Sequence, residues 1–499
     1  MTGVSRPANR PSDGLPAHLG AIGEPGPPDE VRLRVKTLSF RRAASMLRGA
    51  GARFVTLLLA DTPEPALVGA FALRGSLVVL RAPAEDSDPP TYGSLAEFWP
   101  AARWAEQELT ERHGVHALGL PPGRALTVPD ADLVDRGVYG LDAFVIPYGP
   151  VRSGVFEAIQ FQLETGGESV PRLQTRPFFK HRGIEALFEG MAPDRAVYIA
   201  ERTAGIASVA YACAFSQAVE RALGVQPPVT AERWRAVHAE LERLACHLDV
   251  IAKQAETAAL YVGLARFQIL KEQVMRLRAR LTGSRFARGV VVPGGVREIG
   301  EIDLDELAAA LDELERQLIR DRRMFLGTAS MLDRLIGAGH LPRALVEEYA
   351  AVGPVARGSG VSTDARHERP YGDYRRLGLR VITRREGDSM SRVSVRFGEL
   401  SESLRILRQA VDHLRRGDGE PRAVLPAGAS GAAFGWSEAP QGELVVWVEI
   451  HDGLVHRVHI ASPSLRNWAL FEHAFPKDVL TDFAFIEHSF GLTPAGADR

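Results

Sequence analysis

ERLACHLDVIAKQAETAALYVGLARFQILKEQVMRLRARL, residues 242–281, decides how this chain folds. Upstream of and within it, Trp234, Val237, Leu241, Leu244, Leu248 and Ile251 recur at steps of three and four, the period of one helix face. Thr230 stands where an N-cap would open that helix. Residues 262–281 continue the pattern as a second long helix. Asp303 with Glu306 has the spacing of a capping box and opens a third helix over 303–326. A fourth is expected over 401–414. The centre of the chain is therefore helix-rich.

Its flanks read differently. Residues 54–61, 67–75 and 76–83 are short apolar runs broken by turn residues, hence strands, with a hairpin turn at Arg74-Gly75. A helix over 94–113 ends at Gly114. Residues 143–148 and 155–164 form another strand pair, and 444–450 with 455–460 form a hairpin turned at Asp452-Gly453. The fold class is α+β: a small N-terminal α/β domain, then a large helix-rich domain with peripheral β-hairpins. Residues 1–30, rich in Pro and Gly, read as a flexible tail, with domains over 31–130 and 131–499.

Composition narrows the function. A net charge of −2 gives no electrostatic reason to bind nucleic acid. No run approaches the ~18 apolar residues of a membrane span. The chain lacks glycine-loop motifs for nucleotides. Its two cysteines, Cys213 and Cys246, stand alone in apolar contexts and cannot build a zinc or iron–sulfur site.

Polar residues concentrate in two places. Residues 178–190, FFKHRGIEALFEG, bring Lys180, His181, Arg182 and Glu185 together. If that segment is helical, His181 and Glu185 share a face as a possible proton relay; ordinary polar capping explains them as well. Residues 353–374 carry Arg357, Asp364, Arg366, Tyr371 and Tyr374 in a stretch whose glycines and Pro354 predict a non-helical loop.

The ordered series HRGIE (181–185), ERTAGIASVAYACAFSQAVE (201–220), residues 242–296, GPVARGSGV (353–361) and EGDSMSRVSVR (386–396) resembles the large subunit of membrane-bound NiFe hydrogenases. It resembles equally the 49-kDa-type subunit of respiratory complex I. The likeness covers about residues 142–499. EQELTERHGV (106–115) resembles the 30-kDa-type subunit of complex I at Glu106, Glu111 and Gly114. The two fused in one chain is the arrangement of formate hydrogenlyase large subunits.

That resemblance frames what is missing. The family's nickel–iron site uses four cysteines, which fall here on Ala204, Ala207, Thr493 and Gly496. Methyl groups and a hydrogen have no lone pairs, and a threonine hydroxyl is a poor soft-metal ligand. No nickel is expected, and the substitutions argue against hydrogenase activity. The quinone ligands of the complex I relatives are replaced too: Arg152 stands in place of a histidine, and Ala204 and Gly205 in place of an aspartate and a tyrosine. The chain already ends at the arginine where hydrogenase maturation would stop, so no cleavable tail is expected.

The resemblance then implies a redox cavity near Arg152, His181, Glu185 and Arg202. Arg182, Arg202 and Asp364 would lie near that cavity or near the partner's iron–sulfur cluster. It implies a 4Fe–4S cluster in a small partner subunit, a ferredoxin-like subunit, antiporter-like membrane subunits, and a place on the cytoplasmic face of the inner membrane. Two functions fit: electron transfer from that cluster to a quinone-like or unknown acceptor, or a catalytically silent subunit that docks the small subunit to a membrane arm.

Overall fold

The computed structural model describes residues 21–61, 63–83, 89–121, 125–126, 144–152, 157–297, 303–416 and 419–499. It divides into two compact units, Met1–Leu126 and Thr127–Arg499.

The first unit is built on a five-stranded sheet. Its strands are β1 (Ile22–Glu24), β2 (Glu30–Arg34), β3 (Arg53–Ala60), β4 (Ala66–Leu73) and β5 (Ser76–Pro83), in the order β1-β2-β5-β4-β3. β2 and β5 run parallel and the other pairs antiparallel. Arg74 and Gly75 both take positive φ, 46° and 81°, the geometry a tight two-residue hairpin needs. Helix α1 (Thr37–Gly49) buries Phe40, Ala44 and Leu47. Two short strands, β6 (Thr91–Gly93) and β7 (His116–Leu118), pair in parallel. Of the tail expected over 1–30, residues 1–20 lie outside the described residues, and Ile22–Glu24 is the edge strand β1 rather than tail.

Helix α2 (Ala102–His113) starts later than residue 94 and ends at Gly114, φ 66°. The late start has a local cause. The buried Glu106 carboxylate accepts from Ser94 Oγ and from the Leu95 amide, both at 2.6 Å. That pairing fixes residues 94–96 as a turn, and Pro100 discourages helix at the residue before it. Glu106, one of the residues carrying the 30-kDa-type resemblance, thus has a structural task.

The second unit places β8 (Phe144–Tyr148), β9 (Gln160–Thr165) and β10 (Arg172–Arg176) in one antiparallel sheet. The strand expected over 155–164 begins only at Gln160, and residues 153–156 lie outside the described residues. Helices follow: α3 (Pro193–Ala200), α4 (Ser208–Leu223), α5 (Val229–Thr257), α6 (Tyr261–Thr282), the minimal hairpin β11 (Val291–Val292) and β12 (Gly295–Val296), then α7 (Leu304–Leu326). Thr230 is not a cap: α5 opens at Val229 behind Pro228, whose extended backbone sets the entry. Asp303 does cap α7, accepting from the Asp305 amide at 2.9 Å, while Glu306 pairs with Arg280 instead of closing a box.

Short helices occupy residues 329–377, among them Gly353–Gly358 and Ala365–Glu368, so the loop expected over 353–374 is partly helical. Pro354 sits in the first turn, where its missing N–H costs nothing. Helix α8 (Ser389–Leu414) begins twelve residues before position 401, capped by Asp388. The apolar stripes of α5, α6, α7 and α8 meet in one core that includes Leu248, Phe267, Leu318, Phe325 and Phe397.

The chain closes with an antiparallel sheet, β13 (Gly431–Ala439), β14 (Gly442–His451) and β15 (Leu454–Ala461), and with helices α9 (Pro463–Phe471), α10 (Phe483–Phe490) and α11 (Pro494–Asp498). Strand β13 adds a third strand to the hairpin that the sequence predicts. Helix α4 lies directly on it: a Cβ at Gly435 would stand 2.2 Å from the Ala214 carbonyl. Among the described residues, no helix is long and apolar enough to cross a membrane.

Candidate functional site

The stretch 201–210 is not one helix. α3 ends at Ala200, Gly205–Ala207 form a single 3-10 turn, and α4 begins at Ser208. Ala204 and Ala207 are fully buried, whereas Gly205 and Ile206 face outward. The first N–H groups of α4 need an acceptor, and the buried Glu242 of α5 supplies it, at 2.8 Å from the Val209 amide and 3.0 Å from that of Ala210. Burial raises the Glu242 pKa, opposed by Arg278 and these two N–H groups.

The C-terminal segment meets residues 178–185 here. Asp498, buried, accepts from the amides of Phe178 (2.7 Å) and Lys180 (2.9 Å), and burial raises its pKa against those bonds. His181 Nδ1 lies 2.7 Å from the Asp498 carbonyl, and the Arg182 amide donates to the Arg499 carbonyl at 3.0 Å. This lacing replaces the helix that would have paired His181 with Glu185. Glu185 instead accepts from the Ile460 amide (2.8 Å) and from Arg499 Nη1 (3.1 Å), with His459 Nδ1 at 3.5 Å.

Arg182 joins the two motifs. Its Nη2 donates to the Thr203 carbonyl at 2.6 Å and to the Ala495 carbonyl at 2.9 Å. Arg202 donates to the Tyr198 carbonyl (2.7 Å) and to Glu201 (2.8 Å), with half its side chain exposed. Buried Glu201 also accepts from the Gly289 amide at 2.7 Å; burial raises its pKa and these donors hold it down.

The positions onto which the resemblance places the family's cysteines, Ala204, Ala207, Thr493 and Gly496, are all buried. Thr493 Oγ1 donates to Glu157 at 2.7 Å, and the Ala495 amide donates to the same carboxylate at 2.9 Å. A Cβ placed on Gly496 would stand 2.9 Å from Tyr211 Oη, 3.1 Å from Ser462 Oγ and 3.1 Å from Thr493 Cγ2. Tyr211 Oη donates to Ser462 Oγ at 3.3 Å. Burial drives the Tyr211 phenol up to about 12, so it stays a neutral donor. The donors here are carboxylate, hydroxyl and carbonyl oxygens, a hard set that does not fit a nickel–iron centre. Glu157 escaped the sequence reading because a lone carboxylate in an apolar run has no spacing signal.

Two expected members stand elsewhere. Arg152 forms a bidentate pair with Glu487 of α10, at 2.6 and 2.9 Å, and lies over the rings of Tyr148 and Phe161 at 4.9 and 5.0 Å. Asp364 belongs to the interior. It pairs with Arg366 (2.7 Å) beside Arg357, whose Nε reaches Glu399 and whose Nη1 reaches Glu438, both at 2.8 Å. Arg366 reaches Glu240 at 2.9 Å, and His247 Nε2 lies 2.8 Å from Glu399. Paired this way, the acids sit in a field of guanidiniums, and Arg357 with His247 holds the Glu399 carboxylate well below its usual range against burial.

Residues 261–427 match the family described as the respiratory-chain NADH dehydrogenase 49 Kd subunit. The membrane-bound hydrogenase subunit alpha of Pyrococcus furiosus is 30% identical over 62% of this chain and 76% of that protein. The chain belongs to this family of hydrogenase and complex I large subunits. Formate hydrogenlyase subunit 5 of Escherichia coli is 27% identical over 83% of this chain and 78% of its own length, a span that reaches beyond the region resembling the 49-kDa-type subunit. Among solved structures, a chain of the membrane-bound sulfane sulfur reductase, an archaeal respiratory membrane complex, superposes with a TM-score of 0.68 at 26% identity, covering 72% of this chain and 99% of that one. As a hydrogenase and complex I large-subunit relative, the chain carries the family's motifs, and EGDSMSRVSVR gains a physical reading. Arg392 Nε donates to Ser489 Oγ (2.8 Å), and Arg396 donates to the carbonyls of Ser489 (2.6 Å) and Phe490 (2.7 Å). These two arginines hold α10, and through it the C-terminal segment, against α8.

Proposed function

We propose that this protein is an electron-transferring subunit that works without a nickel–iron centre. Family membership makes it a subunit of a membrane-bound complex of the complex I and hydrogenase type. On this reading a small iron–sulfur subunit delivers electrons, with ferredoxin-like and antiporter-like membrane subunits completing the assembly at the cytoplasmic face. A quinone-like acceptor takes up two electrons and two protons to become the quinol. The groups assigned to it, near positions 204 and 496, are Arg182, Arg202, His181 and Glu185, each hydrogen-bonded within the unit. Arg152, committed to Glu487, and Asp364, committed to Arg366, serve the fold.

One observation carries this reading: Arg182 and Arg202 keep exposed side chains while Arg182 binds the carbonyls of Thr203 and Ala495, the residues next to Ala204 and Gly496, which have no ligand atom. Exposed cations anchored to carbonyls and to Glu201 suit an anionic or carbonyl-bearing acceptor. A second reading, a silent docking subunit, is favoured by the close packing of Tyr211, Ser462 and Thr493 around Gly496.

The assembled complex separates the two. Arg202→Ala or Glu185→Gln should lower acceptor reduction without releasing subunits. Unchanged turnover in both variants leaves the docking reading. Metal and quinone analysis of the native complex gives the second check, and stoichiometric nickel would defeat the proposal.

A further inference from the structure

Gly496 lies inside helix α11, where alanine would be favoured by about 1 kcal/mol. Its backbone does not take the positive φ that demands glycine. The demand is therefore for space, and Tyr211 Oη is the nearest group, at 2.9 Å from the missing Cβ. Tyr211 stands in the first turn of α4, four residues after Ala207, the residue that precedes the helix. Its ring is buried and its hydroxyl is tied to Ser462, which also caps α9. Ala204 and Ala207, which would carry the opposing thiolates, are fully buried as well.

We infer that Tyr211 closes this scaffold to a sulfur-ligated metal: its hydroxyl fills the volume that a side chain at position 496 would need, so thiolates returned to 204, 207, 493 and 496 do not rebuild a centre while Tyr211 stays. This rests on the reading that the four positions hold no metal in the native protein, which nickel analysis tests separately. Tyr211 and Gly496 act as a pair, and the tyrosine decides which chemistry the scaffold accepts.

A steric cycle in the full-length chain tests this first. Gly496→Ala should lower the melting temperature by about 3 °C or more. The Tyr211→Phe, Gly496→Ala pair should recover most of that loss, because the phenyl ring lacks the clashing oxygen. Additive losses would overturn the inference. Cobalt(II) is the second probe, added to chains carrying Ala204→Cys, Ala207→Cys, Thr493→Cys and Gly496→Cys. Cobalt–thiolate absorption should saturate at about tenfold lower metal concentration when Tyr211→Ala is also present. Equal affinity with and without that change would overturn the inference too. If the cysteine variants fail to fold, the steric cycle still decides.

Discussion

Thr493 donates its hydroxyl to Glu157 at 2.7 Å, across 336 residues of sequence, and so ties the loop before β9 to the first turn of α11. Removing the hydroxyl with Thr493→Val should cost about 1 kcal/mol, the net worth of a hydrogen bond. Glu157→Ala should cost more, since it leaves both the Thr493 hydroxyl and the Ala495 amide without their acceptor. Urea melts of the full-length protein rank the two; equal losses would mean that the bond from the Ala495 amide to Glu157 adds nothing to the hold on the segment.

The interior ion cluster makes a harsher prediction. Arg357 is fully buried and faces Glu399, Glu438 and Asp364. Taking it away strands carboxylates in a dry core, so Arg357→Met should destabilise by about 3–5 kcal/mol or prevent folding. Arg357→Lys should rescue little, because a single ammonium cannot reach several carboxylates in the guanidinium's planar fork. Soluble yield and denaturant midpoints check both.

His238 predicts acid sensitivity. It is fully buried on α5, stacked on Trp234 at 5.9 Å, and neither ring nitrogen has a hydrogen-bond partner among the described residues. Burial first, then Arg278, pushes its pKa from 6.5 down to about 3. The folded state thus keeps the ring neutral while the unfolded chain takes up a proton. Its contribution is intact above pH 6.5 and is lost as the pH falls toward 3. The loss approaches about 1.4 kcal/mol per pH unit. His238→Phe should flatten the stability profile between pH 6 and 4; an unchanged slope there would place the acid sensitivity on other groups.

Cys213 and Cys246 are free and buried, and burial pushes both thiols up to about 12. A thiol reagent at pH 8 should label neither in the native protein and both after denaturation. Labelling before unfolding would show that the packing around α4 or α5 opens on the timescale of the assay.

Much of this was legible in the sequence for a physical reason. Helices α5 to α7 announce themselves because burial along one face repeats every three to four residues. The tight turns at Arg74-Gly75 and Asp452-Gly453 do so because both positions in each take positive φ. That no cysteine stands at 204, 207, 493 and 496 is likewise a statement about atoms, readable from residue identity alone. What failed were features decided by a distant partner. The start of α2 moved because Glu106 captured Ser94 and Leu95. His181 and Glu185 separated because the backbone around them is laced to Asp498, Arg499 and Ile460.

Sequence alone determined the helical scaffold and the residue types at 204, 207, 493 and 496, since periodicity and side-chain chemistry are local properties. Only the tertiary structure decided what the remaining charges do. Arg152, expected in the cavity, pairs with Glu487, and Arg182 spans Thr203 and Ala495. Glu157, unremarked in its own segment, faces Thr493, and the hydroxyl of Tyr211 crowds Gly496. Each of these pairings joins segments far apart in the chain, and no local pattern encodes a contact that the packing of the whole unit creates.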